Sequence, residues 1–216
     1  MQPDPKDNSQ ASDAGETWAD DQQKRGYYYD DAHGYESYAS ATALTIYTIG
    51  HSTRAFDEFV ALLNENGIGL VADVRSFPGS RKFPQFNKES LDLTLPENGI
   101  EYIHLKQLGG RRRVNPESKN TVWRNESFRG YADYMETAEF EKGIEELLDL
   151  AEDECTAIMC SEAVWWRCHR SMISDHLKAA GVTVLHIIGP GKVEEHPYTS
   201  AAKIVDGRLT YGAAQL

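Results

Sequence analysis

Residues 156–188 read TAIMCSEAVWWRCHRSMISDHLKAAGVTVLHII. The apolar run Thr156–Met159 predicts a buried strand, and Val182–Ile188 predicts another. Between them, Cys168–Ala180 predicts a helix, which Gly181 closes. Two strands joined through a helix run parallel in one sheet. This stretch therefore predicts an α/β fold.

The chain on the N-terminal side of this stretch repeats the alternation of strands and helices. Strands are predicted at Leu44–Ile49, Ile68–Val74 and Ile100–Leu105, and helices at Arg54–Asn66, Lys88–Glu97, Phe128–Glu139 and Phe140–Ala151. On the C-terminal side a short hairpin is expected around Asp206-Gly207. We therefore expect a Rossmann-like three-layer sandwich with a mainly parallel sheet of about five strands.

Composition sets the limits of this domain. The 216 residues suffice for one domain with a sizeable core, and the net charge is −12. Residues 1–40 carry nine acidic and three basic side chains, with no Ile, Leu or Val. Such a segment buries too little apolar surface to offset its ordering entropy. We expect a disordered acidic tail over 1–43 and a single α/β domain over 44–216.

The location of the protein is predicted from what the chain does not contain. No run approaches the roughly 20 apolar residues that a membrane span needs. The N-terminus carries no basic patch followed by an apolar run, so a secretory signal is not expected. The chain has only three cysteines, and an odd number cannot pair completely, so a disulfide framework is not expected. These features favour a cytoplasmic protein that does not associate with membranes.

The charge is unevenly distributed. Residues 75–130 hold eleven Lys and Arg side chains against six Asp and Glu, a local excess of five positive charges. A basic middle in an acidic protein indicates an anionic ligand that is bound locally. The expected partner is an anionic small molecule or a nucleic acid, and the oligomeric state is left open.

Reactive side chains follow the predicted strands. Ligands of parallel α/β sheets bind outside the carboxyl ends of the strands. At those ends lie His51, Asp73, Arg75, Arg111, Cys160 and Glu162. We therefore expect His51, Asp73, Arg75, Cys160 and Glu162 to surround one cleft.

The residue types suggest roles for the members of this cleft. Either Cys160 or Cys168 is the candidate nucleophile or redox thiol, because a helix N-terminus lowers the pKa of a thiol. Candidates for proton transfer are His51, Asp73 and Glu162, and candidates for holding the anion are Arg75, Arg111, Arg170 and His169. The sequence does not indicate which of the two thiols is reactive, and the pattern points to no particular cofactor.

A metal site is the less favoured use of the same residues. Cys160, Cys168, His169 and His51 are residue types that bind zinc. The two cysteines are eight positions apart, which is not the spacing of a zinc ribbon. No metal is therefore predicted.

Two functions without catalysis stay open. One is a nucleic-acid module, with phosphate contacts from Arg111–Arg113, Arg124 and Arg129 and base stacking by Trp123, Trp165 or Trp166. The other is a sensor of a nucleotide-like ligand. The acidic total charge excludes a broad nucleic-acid-binding face but not a local one.

Several of these residues stand in short motifs that occur in a fixed order. The motifs are Thr48-Ile49-Gly50-His51-Ser52, Asp73-Val74-Arg75 with Pro78 and Ser80, Leu108-Gly109-Gly110, Tyr131-Ala132-Asp133-Tyr134-Met135, Met159-Cys160-Ser161-Glu162, and Cys168-His169-Arg170. In this order the chain resembles the domain of unknown function 488 family over about residues 45–188. The resemblance implies a compact α/β fold with the motif residues gathered at one site, and it implies no reaction. Family members often have a proline where this chain has Val164-Trp165-Trp166.

Overall fold

A computed structural model describes residues 44–212. The tail expected over 1–43 lies outside the described residues and stays a prediction, as does the extension of the domain to residue 216.

The centre of the described region is a six-stranded sheet. Its strands are β1 (Thr45–Gly50), β2 (Leu70–Asp73), β3 (Glu101–His104), β4 (Thr156–Cys160), β5 (Thr183–Gly189) and β6 (Lys192–Glu195). They lie in the order β3-β2-β4-β1-β5-β6, in which the first five run parallel and β6 runs antiparallel to β5. The predicted mainly parallel sheet is confirmed, with β6 added at one edge.

Two glycine-containing turns shape the C-terminal part of the domain. Gly191 has a φ of 62°, which lets the chain reverse between β5 and β6. The hairpin expected around Asp206-Gly207 is formed by β7 (Lys203–Val205) and β8 (Arg208–Thr210). Both turn residues have positive φ, as the two-residue hairpin turn with the right twist requires.

Within residues 44–212, five α-helices flank the sheet. They are α1 (Phe56–Glu65), α2 (Lys88–Thr94), α3 (Glu126–Met135), α4 (Ala138–Asp153) and α5 (Arg170–Ala179). Thr137 separates α3 from α4 because its side chain accepts the backbone N–H of Phe140 and caps α4. None of the helices within residues 44–212 combines the length and the apolar composition that crossing a membrane requires.

The alternation of side chains along the strands creates a core on each face of the sheet. Ile49, Val71 and Met159 pack with α1 on one face, and their cluster extends to Phe86 and Leu91. On the other face pack Ile46, Ala72, Ile158, Tyr131, Phe140, Ile144, Met172 and Ile173. Apolar burial on both faces stabilises a parallel sheet between helices. The three-layer sandwich is therefore confirmed.

Candidate functional site

A cleft of about 670 Å³ opens at the carboxyl ends of β1, β2 and β4. The ends of these strands are level because Gly50 pairs with Cys160, and Asp73 with Met159. Of the nine candidate residues, those that line the cleft are His51, Arg75, Arg111, Cys160, Glu162, Cys168 and His169. Asp73 and Arg170 are fully buried and do not line it. The rule for parallel sheets thus located the cleft.

Asp73 holds Arg75 in place. The Asp73 carboxylate accepts hydrogen bonds from Arg75 Nε at 2.8 Å and Nη2 at 2.5 Å, and from the Tyr102 hydroxyl at 2.7 Å. Arg75 Nη2 also donates to the carbonyl of Phe86 at 2.8 Å. The Asp73 side chain is fully buried and is not among the residues that line the cleft. The structure therefore revises the expectation for Asp73: it orients Arg75 and does not face the cleft.

His51 is neutral at physiological pH. Burial, followed by the charge of Arg75, lowers its pKa to about 4. Its ring stacks on Phe86 with centroids 4.3 Å apart, and Nδ1 donates to the carbonyl of Ser52 at 3.0 Å. The lone pair of the ring is then on Nε2, which accepts a hydrogen bond from Arg75 Nη1 at 3.3 Å. His51 can accept a hydrogen bond or a proton only at this nitrogen.

Cys168 and His169 form a pair at the cleft. His169 Nε2 donates to the carbonyl of Val74 at 2.8 Å, and Nδ1 lies 3.5 Å from Cys168 Sγ. A carbonyl only accepts hydrogen bonds, so the proton of the neutral ring is on Nε2 and the Nδ1 lone pair faces the sulfur. A nucleophile, a base and a group that orients the base are the three parts of an activated thiol.

The two cysteines of the cleft differ in acidity. Burial alone would raise the pKa of Cys168, but a hydrogen bond from Cys160 and the charge of Arg170 outweigh it and lower the pKa to about 6. The backbone N–H of Arg170, in the first turn of α5, also donates to Cys168 Sγ at 3.5 Å. The hydrogen bond to Cys168 and burial raise the pKa of Cys160 to about 12. Of the two thiols, Cys168 is thus the one that loses its proton more readily.

Arg170 lies beneath the cleft. Its Nη2 donates to the carbonyl of Glu162 at 2.5 Å, and its Nη1 donates to Thr48 Oγ1 at 3.3 Å. Only 1% of the residue is exposed, and its Nε has no hydrogen-bond partner. Arg170 does not line the cleft, and its positive charge lowers the pKa of Cys168; its role in holding an anion stays a prediction.

A chain of buried hydrogen bonds continues from Arg170 to Asp175. Because arginine only donates, the hydroxyl proton of Thr48 is free for His186 Nδ1 at 2.7 Å. His186 Nε2 then donates to His196 Nδ1 at 2.9 Å, and His196 Nε2 donates to Asp175 Oδ1 at 3.0 Å. These hydrogen bonds link a buried cation to a buried carboxylate. Sequence reasoning missed His196 and Asp175 as contributors to the site, whereas Thr48 stands in the first of the family motifs.

The basic segment proposed for nucleic-acid binding uses part of its charge internally. The guanidinium of Arg112 lies 3.6 Å from the Tyr134 ring centroid, and Arg129 Nε donates to the carbonyl of Trp123 at 3.0 Å. The other arginines of the segment are exposed: Arg111, Arg113 and Arg124. Only Arg111 of these lines the cleft.

The tryptophans proposed for stacking on bases also differ in their surroundings. Trp123 stacks on Phe128 at 4.9 Å, and Trp165 stacks on His186 at 4.4 Å. Trp166 is 53% exposed. Two of the three rings are therefore already stacked within the domain.

Cys160, Cys168 and His169 could also serve as a donor set. Their two sulfurs and a ring nitrogen lie within 4.8 Å of one another. Zinc accepts such donors and would take a fourth ligand from solvent or substrate. The sequence prediction of a metal-free site therefore stays a prediction.

Fold and site together define an α/β protein with a thiol site at the carboxyl edge of a parallel sheet. The family model described as "Domain of unknown function DUF488" matches residues 55–177, more than half of the chain. The chain belongs to this family, as the motifs predicted. No curated protein and no solved structure matches the chain.

Proposed function

We propose that this protein is an enzyme in which the Cys168 thiolate attacks an anionic substrate bound in the cleft. The observation that carries the proposal is the arrangement of Cys168, His169 and the Val74 carbonyl beside a cleft large enough for a small molecule.

The proton balance of the site supports nucleophilic chemistry. The lowered pKa of Cys168 favours the thiolate, and its proton can pass to the Nδ1 lone pair of His169 at 3.5 Å. His169 can then return this proton to a leaving group. Glu162 is exposed at the same cleft and can exchange protons with solvent.

Positive charge at the mouth of the cleft supports an anionic substrate. Arg111 and Arg167 line the cleft, and neither forms an ion pair with a carboxylate of the described residues. Asp73 neutralises Arg75, which leaves Glu162 as the counter-charge among the lining residues. Guanidinium groups with free N–H donors suit phosphate, sulfate or carboxylate groups.

An exposed ring at the same mouth indicates a second part of the substrate. Phe77 is 71% exposed, lines the cleft and lies 5.6 Å below the guanidinium of Arg111. A flat apolar group beside the anionic one would cover this ring and gain apolar contact. The substrate class proposed is thus an anion of small-molecule size with a planar or apolar part.

Alkylation by iodoacetamide tests the proposal. The modified cysteines are mapped by mass spectrometry after brief reaction between about pH 5 and about pH 9, where a free cysteine titrates near 8.5. We expect Cys168 to react at pH 7, with a half-maximal rate near its pKa of about 6. Cys160 and Cys155, whose pKa values are raised, should react far more slowly.

Two further measurements define the outcome. Inorganic phosphate or sulfate should slow the alkylation of Cys168 by occupying the arginines, and Arg111→Gln should weaken that protection. Lys203→Gln, which removes an exposed cation from the distant hairpin, is the matched control. Alkylation of all three cysteines only after unfolding would overturn the proposal.

A further inference from the structure

Cys160 is a buried nucleophilic group that the proposed reaction does not use. It ends β4, lines the same cleft as Cys168, and is 6% exposed. Its sulfur lies within 4.8 Å of both Cys168 Sγ and a ring nitrogen of His169. A cysteine that served only to pack the core would not need to point at a second thiol across the mouth of a cleft.

We propose that Cys160 and Cys168 are a dithiol–disulfide pair, and that the site reduces a hydroperoxide at the expense of the two thiols. The proposal rests on the proposed function in one respect, because it uses the same Cys168 thiolate. It adds a second reactant class and a role for Cys160.

The first step oxidises Cys168. Its thiolate attacks the distal oxygen of the hydroperoxide, so an S–O bond forms and the O–O bond breaks. The alkoxide or hydroxide that leaves takes up the proton that His169 Nδ1 received from Cys168 and departs as alcohol or water, and Cys168 becomes a sulfenic acid. The charge of Arg170 and the N–H of Arg170 stabilise the thiolate that begins this step.

The second step joins the two sulfurs. Cys160 gives its proton to His169 Nδ1 and attacks Cys168, so an S–S bond forms and the S–O bond breaks. The hydroxide that leaves takes the proton from His169 and departs as water. Overall two thiols lose two electrons and two protons, and the hydroperoxide is reduced to an alcohol or water, with one further water.

The same contacts explain the order of the two steps. The hydrogen bond to Cys168 is the largest cause of the raised pKa of Cys160. When Cys168 carries an oxygen, its sulfur has lost the negative charge that holds the Cys160 proton. Cys160 is therefore inert in the reduced protein and becomes a nucleophile only after Cys168 has been oxidised.

The local backbone allows the sulfurs to close to bonding distance. Cys160 is fixed at a strand end, whereas Cys168 follows a loop and precedes α5. Sulfurs within 4.8 Å approach the roughly 2.05 Å of a disulfide by rotation about Cα–Cβ and a small shift of the loop. His169 accepts the proton without moving, because Val74 fixes its ring.

The experiment treats the reduced full-length protein with one equivalent of hydrogen peroxide and measures intact mass and disulfide-linked peptides. We expect the loss of two hydrogen atoms and a Cys160–Cys168 link that dithiothreitol reverses. Cys155→Ser is the matched control and should behave as the unaltered protein. Cys160→Ser should stop at the sulfenic acid, trapped by dimedone, and proceed to the sulfinic acid with excess peroxide.

The outcomes separate this proposal from the previous one. If Cys168 is alkylated at pH 7 but peroxide gives its sulfinic acid with no link to Cys160, the dithiol proposal is wrong and the thiolate enzyme stands. If Cys168 is not alkylated at pH 7, the thiolate enzyme fails. If the purified protein carries zinc that must be removed before either thiol reacts, both sulfurs are metal ligands and the dithiol proposal is overturned.

Discussion

The acidity of the site depends on residues that are adjacent in the chain or in space. Cys168, His169 and Arg170 are consecutive, yet their side chains do different things: one carries the thiolate, one holds a lone pair beside it, and one supplies charge from below. The Val74 carbonyl decides which nitrogen of His169 faces the sulfur. Chemistry that a short motif only suggests is thus fixed by a carbonyl 95 residues away in the chain.

Gly110 determines the position of His169. A Cβ at Gly110 would lie 2.4 Å from His169 Nδ1, which is too close for any real contact. We predict that Gly110→Ala displaces the ring and slows alkylation of Cys168 at pH 7 several-fold, with a loss of about 1–3 kcal/mol in the free energy of unfolding. Alkylation rates and urea unfolding check both parts.

Gly79→Ala is the matched control for that substitution. Gly79 lines the same cleft, but a Cβ there would meet nothing within 4 Å. In the Gly79→Ala variant, Cys168 should be alkylated as fast as in the unaltered protein. The free energy of unfolding should stay within about 0.5 kcal/mol of the unaltered value. Equal behaviour of the two alanine variants would show that His169 does not depend on the space at Gly110.

At the scale of elements, a series of buried hydrogen bonds ties β1, β5 and α5 together. It runs from Arg170 through Thr48, His186 and His196 to Asp175. Thr48 on β1 joins Arg170 to His186, because its oxygen accepts from Arg170 and its proton goes to His186. Each link satisfies a buried polar group that would otherwise be costly. The elements that carry the site are thus joined by polar contacts as well as by apolar packing.

We predict that Thr48→Val lowers the free energy of unfolding by about 1–3 kcal/mol, because it leaves both neighbours of Thr48 without that hydrogen bond. Valine keeps the shape and the strand preference of threonine, so packing is hardly altered. Thr45→Val, on the same strand at a half-buried position, is the control and should change stability by less than about 0.5 kcal/mol. Urea unfolding of both variants measures the difference, and equal values would contradict the role of the chain.

The elements predicted from sequence are those with a strong apolar pattern. The strands of the parallel sheet were located to within about two residues because each lies in an apolar run of the sequence, even β3, which is only half-buried. β6 was missed because Lys192–Glu195 is exposed along its whole length and has no apolar face. The helix predicted from Cys168 begins at Arg170, since Cys168 itself is extended with a φ of −134°.

The site was predictable only as far as strand ends reveal it. The rule that ligands bind at the carboxyl ends of parallel strands located the cleft. It could not show that Asp73 accepts hydrogen bonds from Arg75, or that Arg170 donates to Thr48 on β1. Asp175 and His196 carry no spacing signal, because they meet from a helix interior and a loop. Trp165 gave no sign of packing on His186, and it does so at 4.4 Å.

At the scale of the whole molecule, several buried histidines are held neutral. Burial, with the charges of His196 and Arg170, lowers the pKa of His186 to about 3, and burial with Arg75 lowers that of His51 to about 4. An unfolded histidine takes up its proton near pH 6.5. Between those values the unfolded state binds more protons than the folded state, so acid shifts the equilibrium toward unfolding.

We predict that histidine protonation does not change the free energy of unfolding above about pH 6.5. As the pH is lowered toward 4, the free energy of unfolding falls by up to about 1.4 kcal/mol per pH unit for each neutral buried histidine. Urea unfolding at a series of pH values measures the slope. His186→Gln keeps a hydrogen-bonding side chain but cannot be protonated, so its slope below pH 6 should be smaller by about one proton. The substitution also alters packing against Trp165 and therefore changes the absolute stability. The test is the slope of the free energy of unfolding against pH. Arg170 makes the sign unambiguous, since its buried positive charge disfavours a second one on His186. A His186→Gln slope equal to that of the unaltered protein would mean that His186 is protonated in the folded state, and the direction of the hydrogen bonds from Arg170 to Asp175 would have to be reversed at that residue.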